Sequence, residues 1–164
     1  MGRKYFHIFK KIIMTSILSV EEIIEKLNSL KKNSLPRWGE MSSSQMIKHC
    51  SSFIDLYLGK IKVPFWYKYF GTTIGKLFLS YISKKSPLET PRNIRTEKSI
   101  KIIDENLDFD YEKKLLIEKL NKLHKIKGQI NHPIYGVMKS EKILFLIKHH
   151  TIHHLNQFNL IKVT

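Results

Sequence analysis

The sequence predicts an all-α protein: a four-helix bundle with an extra helix in the long connection between its second and third members. Three observations predict it. Apolar residues recur at helical spacing in four long segments. Capping signals stand ahead of three of those segments. Histidines on the second and last segments fall on the faces that turn inward, and nothing in the chain reads convincingly as strand.

The 164 residues, 42% of them hydrophobic, suit one domain with a real core. Lys and Arg number 29 against 14 Asp and Glu, a net charge of +15. Such an excess suits nucleic acid or an anionic membrane. Here it is scattered lysine with four arginines (Arg3, Arg37, Arg92, Arg95), and no Arg–aromatic cluster or nucleic-acid motif accompanies it. The expectation is a solvated lysine surface, with neither nucleic acid nor membrane as partner. A single cysteine, Cys50, excludes an intrachain disulfide and fits a reducing, cytoplasmic setting. Residues 1–13, MGRKYFHIFKKII, are basic and then apolar, as a signal peptide is. The apolar run is short, though, and broken by Thr15, Ser16 and Ser19, with no cleavage pattern after it. Met14 opens a cleaner start, so residues 1–13 read as an extension outside the fold and 14–164 as a single domain. No run approaches the ~18 apolar residues of a spanning helix.

In order along the chain, Ser19 and Glu22 make a capping box, with Leu18 and Ile23 as a hydrophobic staple. Val20, Ile23, Ile24, Leu27 and Leu30 follow at helical spacing, and residues 33–36 stop the helix at Pro36. A second capping box, Ser42 and Gln45, opens a helix running to about Leu58 and ended by Gly59. Gln45, His49, Phe53 and Leu56 share one of its faces, which makes Gln45 both a cap residue and a candidate for the site lining. Cys50 points about 100° away from His49 and reads as a small core residue. Residues 63–83 form an aromatic-rich helix with Pro64 near its start, weakened by Gly71 and Gly75. Its aromatics either wall a pocket or cover the bundle, and the second is expected. Residues 84–98 hold two prolines and no periodicity, hence a long loop. Its Arg92 and Arg95 are available to an anionic substrate, though an ordinary solvated loop is the expectation. Asp110 caps a helix from residue 111 to about 127, with Leu115, Leu116, Leu120 and Leu123 as core and Gly128 as terminator. His124 stands alone among lysines, without a chemical role. In the link GQINHPIYGVMKSE, Pro133 and Gly136 mark a turn. Turn chemistry leaves His132 and Tyr135 unexplained, and they would approach the last helix from its N-terminal side.

That last helix is SEKILFLIKHHTIHHLNQFNLI, residues 140–161. At about 100° per residue, Ile143, Leu146, Ile147, His150, His154, Gln157, Phe158 and Ile161 fall on one stripe, away from Lys142, Lys148, Ile152, Asn156 and Asn159. His149 and His153 form a second pair to the side. Two imidazoles four residues apart on a helix can share a metal ion, as those of an HExxH motif do. The competing explanation, two hydrogen-bonded core histidines, needs separate buried polar partners for each ring. One cation serves a nitrogen of both. His49, facing inward from the second helix, is the candidate third ligand.

Three blocks carry a resemblance: WGEMSSSQMIKHC (38–50), HPIYGVM (132–138) and KHHTIHHLNQF (148–158). Over about residues 20–158 the chain resembles the DinB-like superfamily of metal-binding four-helix bundles, and in particular an uncharacterised bacterial branch of it. The resemblance implies an up-down-down-up bundle, with residues 59–109 as the crossover and helix 63–83 as an elaboration within it. It implies His49, His150 and His154 as metal ligands, with Gln157 just beyond. Three neutral imidazoles leave a divalent ion its charge and an open position, as in catalytic zinc sites. Zinc is the first expectation, with nickel, iron and manganese as alternatives. Thiol-dependent transferases in the superfamily suggest a low-molecular-weight thiol activated for S-transfer to a small-molecule substrate, with hydrolysis by an activated water next. The general-base candidates are Glu40, His132, His153 and Tyr135, of which His132 and Tyr135 are named as catalytic. A bundle that binds metal or a small ligand without catalysis is the alternative reading. A homodimer is compatible with either, and the family name carries no implication of DNA chemistry.

Overall fold

Both capping boxes read from the sequence are formed in the computed structural model, which describes residues 18–94 and 97–161. The N-terminal extension and Arg95 lie outside the described residues. In the first box the Ser19 hydroxyl accepts from the Glu22 amide at 3.1 Å while the Glu22 carboxylate accepts from the Ser19 amide at 2.6 Å, opening helix α1, Val20–Ser29. Ser42 and Gln45 repeat the arrangement at the start of α2, Ser43–Tyr57. Gly59, at φ +73°, turns the chain out of α2. Next come α3, Phe65–Phe70, a π-helical turn, Gly71–Gly75, and α4, Lys76–Ile82, in one continuous rod.

The following long helix starts earlier and ends sooner than the sequence suggests. Asp108 caps α5, Phe109–Asn121, by accepting from the Tyr111 amide at 2.9 Å. Asp110 sits instead in the first turn, where the helix dipole favours an acid. The helix tightens into a 3-10 turn, Leu123–Lys125, that keeps Leu123 in the core. Gly128, at φ +78°, bends the loop beyond it.

The expectation of no strand is corrected by a two-stranded antiparallel hairpin, β1 Gln129–His132 and β2 Gly136–Lys139, with Ile130 opposite Met138 and His132 opposite Gly136. Side chains alternate in burial along both strands. Four residues per strand are too few for that alternation to stand out in sequence. The hairpin runs directly into α6, Ser140–Gln157.

The chain is thus mostly helical with one small sheet. Helices α1 and α2 each pack against both α5 and α6, around fully buried Ile23, Leu27, Met46, Ile47, Leu120 and Ile143. A Lys48–Glu112 ion pair at 2.8 Å ties α2 to α5. The C-terminal half of α6 is covered on nearly every side, so that Ile152 and Asn156, placed away from the stripe by sequence, are buried too. The crossover's 3-10 turn Pro87–Glu89 packs on it, and the Arg37 amide donates to the Gln157 carbonyl at 2.7 Å.

The α3–α4 rod lies against the hairpin. At Gly71 a Cβ would stand 2.3 Å from the Ile134 carbonyl oxygen, so the two backbones touch there as only glycine allows. Its aromatics do not cover the bundle as expected. Tyr67, Gly71, Gly75 and Leu79 form the inner row, and most of the large side chains face solvent. Among the described residues no helix is long and apolar enough to cross a membrane.

Candidate metal centre

Helix packing brings His49 of α2 against His150 and His154 of α6, and one ring nitrogen of each lies within 4.8 Å of the others. Three histidines are close enough to hold a metal ion. The His49 and His150 Nε2 atoms are 3.0 Å apart. Two nitrogens ligating one tetrahedral zinc stand about 3.3 Å apart, so the spacing already approaches that of a ligand pair.

The hydrogen-bond network sets which nitrogen is free. His49 Nδ1 lies 3.0 Å from the Ile100 carbonyl, which can only accept, so Nδ1 carries the proton and Nε2 the lone pair. Gln157 donates through Nε2 to the Trp38 carbonyl at 2.7 Å, which turns its Oε1 toward His154 Nδ1, also at 2.7 Å. His154 Nε2 is therefore left with its lone pair. His150 Nε2–H donates to His49 Nε2 at 3.0 Å; to ligate an ion through Nε2, His150 would have to carry its proton on Nδ1 instead. Burial pushes the pKa of His49 down and those of His150 and His154 well below the ordinary value, and neighbouring imidazoles add to the effect. The rings are held in the neutral form that metal ligation requires. The donor set thus fits a borderline, imidazole-binding divalent ion.

One ring closes a flank of the cluster. Phe53, from α2, stacks on His150 at 3.7 Å with 5° between the planes. Tyr57 stacks on Phe53 at 4.2 Å and meets the His132 ring edge-on at 4.4 Å. His132 and Tyr135 are 4.8 Å apart, separated from the histidine cluster by Phe53 and Tyr57. Turn chemistry accounts for His132 after all: its Nδ1 accepts the Ile134 amide at 3.0 Å and the Tyr135 amide at 3.3 Å, closing the hairpin. Its Nε2 is buried and has no hydrogen-bond partner among the described residues, and burial pushes its pKa down to about 4.

Gln45 is occupied elsewhere, accepting from the Ser42 amide and donating to the Asp104 carbonyl at 3.2 Å. The side pair has a different job from the stripe pair. His149 Nε2 donates to the Lys85 carbonyl at 3.1 Å and His153 Nδ1 to the Pro87 carbonyl at 3.3 Å, fastening the crossover to α6. Trp38 lies 5.7 Å from His153, with the Arg92 guanidinium 4.5 Å above its ring. Glu40 is exposed, and Cys50 is buried beside Met46.

Sequence reasoning missed the two carbonyls of Ile100 and Trp38, since a backbone oxygen carries no residue-type signal. Phe53 was visible only as an inward-facing aromatic. Comparison with curated proteins yields no match, and neither does comparison with solved structures. A family model described as a protein of unknown function, DUF1569, matches residues 14–160, a span that includes all three clustered histidines, and the chain belongs to that family.

Proposed function

We propose that the protein is a metal-dependent enzyme of the DinB-like type, with His49, His150 and His154 as ligands and a low-molecular-weight thiol as the activated nucleophile. The observation that carries the reading is the convergence of three neutral imidazoles from two helices, two of them with Nδ1 tied to an oxygen so that Nε2 is free. The packing of α1 and α2 each against α5 and α6 supports an up-down-down-up four-helix bundle. A divalent ion here, zinc first and nickel, iron or manganese as alternatives, would supply Lewis acidity that lowers the pKa of a bound thiol or water.

The chain's own residues do the rest. Ile100 and Gln157 orient two of the rings, and Phe53 seals one flank of the third. His150 is the only one of the three that is partly exposed, which marks the side from which a small substrate approaches. His132 and Tyr135 act at one remove. The Tyr57 ring meets His132 edge-on and lies 6.3 Å from the Tyr135 ring, so these two residues back Tyr57 and Phe53 against His150. Hydrolysis by an activated water uses the same ligands.

A second reading, metal or small-ligand binding without turnover, is favoured by the flat packing of Phe53 on His150, which narrows the approach. Elemental analysis of tag-free protein purified without chelator separates these readings. Stoichiometric metal is expected in the wild type and none in His49→Ala or His154→Ala; metal retained by both variants rejects the triad. Turnover of a thiol with a chromogenic electrophile, lost in His150→Ala, identifies the transferase. Bound metal with no turnover identifies the second reading.

A further inference from the structure

The α3–α4 rod has three sectors because of its π turn. The wide turn keeps Tyr67, Gly71, Gly75 and Leu79 in one row against the hairpin and puts Lys68, Thr72, Lys76 and Ser80 in another along the flank. The third sector is apolar and open to solvent. Phe65 is 85% exposed, Leu77 73%, Tyr69 71% and Ile74 67%, and Trp66, Phe70, Phe78 and Tyr81 join them. A continuous apolar face of this size on an otherwise charged surface marks an interaction site.

The charge around it says what kind. From Leu56 to Leu88 the chain carries six lysines (Lys60, Lys62, Lys68, Lys76, Lys84, Lys85) and no acidic residue. Lys68 and Lys76 are exposed beside the apolar sector, and the Lys85 ammonium lies 5.1 Å from the centre of the Tyr81 ring. Trp and Tyr with an apolar body and a polar edge, together with lysines whose stems reach past an apolar face, suit the headgroup boundary of a bilayer. A second copy of the chain suits it poorly, since two +15 molecules would meet lysine to lysine.

We propose that the outer face of α3–α4 docks the protein on an anionic lipid surface, the rod lying in the plane of the membrane with the hairpin and helical core above it. The sequence-based expectation of a solvated lysine surface without a membrane partner is revised accordingly. The docking is independent of the metal reading, since the inner row and the hairpin stand between this face and the histidine cluster.

Vesicle co-sedimentation of the full chain tests it, with phosphatidylcholine vesicles prepared with and without phosphatidylglycerol. Binding is expected only with the anionic lipid, and weaker as salt rises. Phe70→Ser with Leu77→Ser should weaken it on the order of tenfold per side chain. Lys68→Glu with Lys76→Glu should weaken it at least about fivefold per lysine. Far-UV circular dichroism should be unchanged in both variants because every altered side chain faces solvent. Absence of binding to anionic vesicles overturns the proposal, as does binding that neither double variant alters. A dimer in sedimentation equilibrium that Phe70→Ser with Leu77→Ser abolishes, without vesicle binding, overturns it in favour of a second copy.

Discussion

Gln157 gives the sharpest test of the candidate centre because it touches a proposed ligand without being one. Its Oε1 holds the His154 Nδ1 proton at 2.7 Å and its Nε2 holds the Trp38 carbonyl at 2.7 Å, with the residue only 3% exposed. In Gln157→Leu no water can replace the lost acceptor. His154 must then either bury an unpaired N–H, at a cost of about 1–3 kcal/mol, or move its proton to Nε2 and cease to be a ligand. Partners of metal-bound histidines generally govern about 10–100-fold in affinity, or about 1.4–2.8 kcal/mol, and the two figures agree. Gln157→Glu separates the roles: its carboxylate still accepts from Nδ1 but cannot donate to Trp38. Zinc titration against a competing chromophoric chelator should show affinity lost in Gln157→Leu and kept in Gln157→Glu, while urea unfolding shows both variants destabilised. Affinity in Gln157→Leu within roughly twofold of wild type would refute the orienting role, since 10–100-fold is the effect expected.

Two further outcomes follow from buried polar groups. His132 is held neutral, with a pKa of about 4 in place of 6.5, so the folded chain refuses a proton that the unfolded chain accepts. Its contribution to stability is complete above pH 6.5, is lost as pH falls toward 4, and amounts to about 3 kcal/mol. Urea unfolding of metal-free protein from neutral to acid pH should show a shallower decline in His132→Asn than in wild type; equal declines would mean that this ring titrates freely. Lys48→Met should cost about 3–5 kcal/mol by leaving Glu112, 4% exposed, without its cation. Adding Glu112→Leu should restore most of that, and a single-variant cost below about 1 kcal/mol would place the pair in effectively solvated surroundings.

How far the sequence carried depends on what kind of signal each feature sends. Ser19, Glu22, Ser42 and Gln45 announce two helix starts because capping uses side chains at a set spacing, and both boxes are formed. The choice of His150 and His154 over His149 and His153 followed from one rotation angle, and the rejected pair does point at crossover carbonyls. Asp110 reads as the cap from sequence, but Asp108, two residues earlier, does the capping, and the helix takes in Phe109, which is buried. The hairpin was missed for want of length. His132 was left open as a candidate base because an imidazole closing a turn through its own Nδ1 uses backbone amides that no residue pattern reveals. The outward-facing aromatics were misjudged for a related reason. Helical periodicity counted at 3.6 residues per turn loses its phase across Gly71–Gly75, and the inner row emerges only when that turn is counted wide.

That wide turn has a consequence for how the chain tolerates change in length. A π turn carries about one residue more than an α-helical turn over a similar rise, so it behaves as a single extra residue absorbed in place. Everything downstream keeps its azimuth. Removing Thr73 would leave a plain α-helix whose flanking segments still present the same residues to the same neighbours, whereas a deletion within α2 or α6 would swing the clustered histidine rings out of alignment. Loss of one residue is thus cheap at this turn of the crossover rod and ruinous in the two helices that hold the histidines.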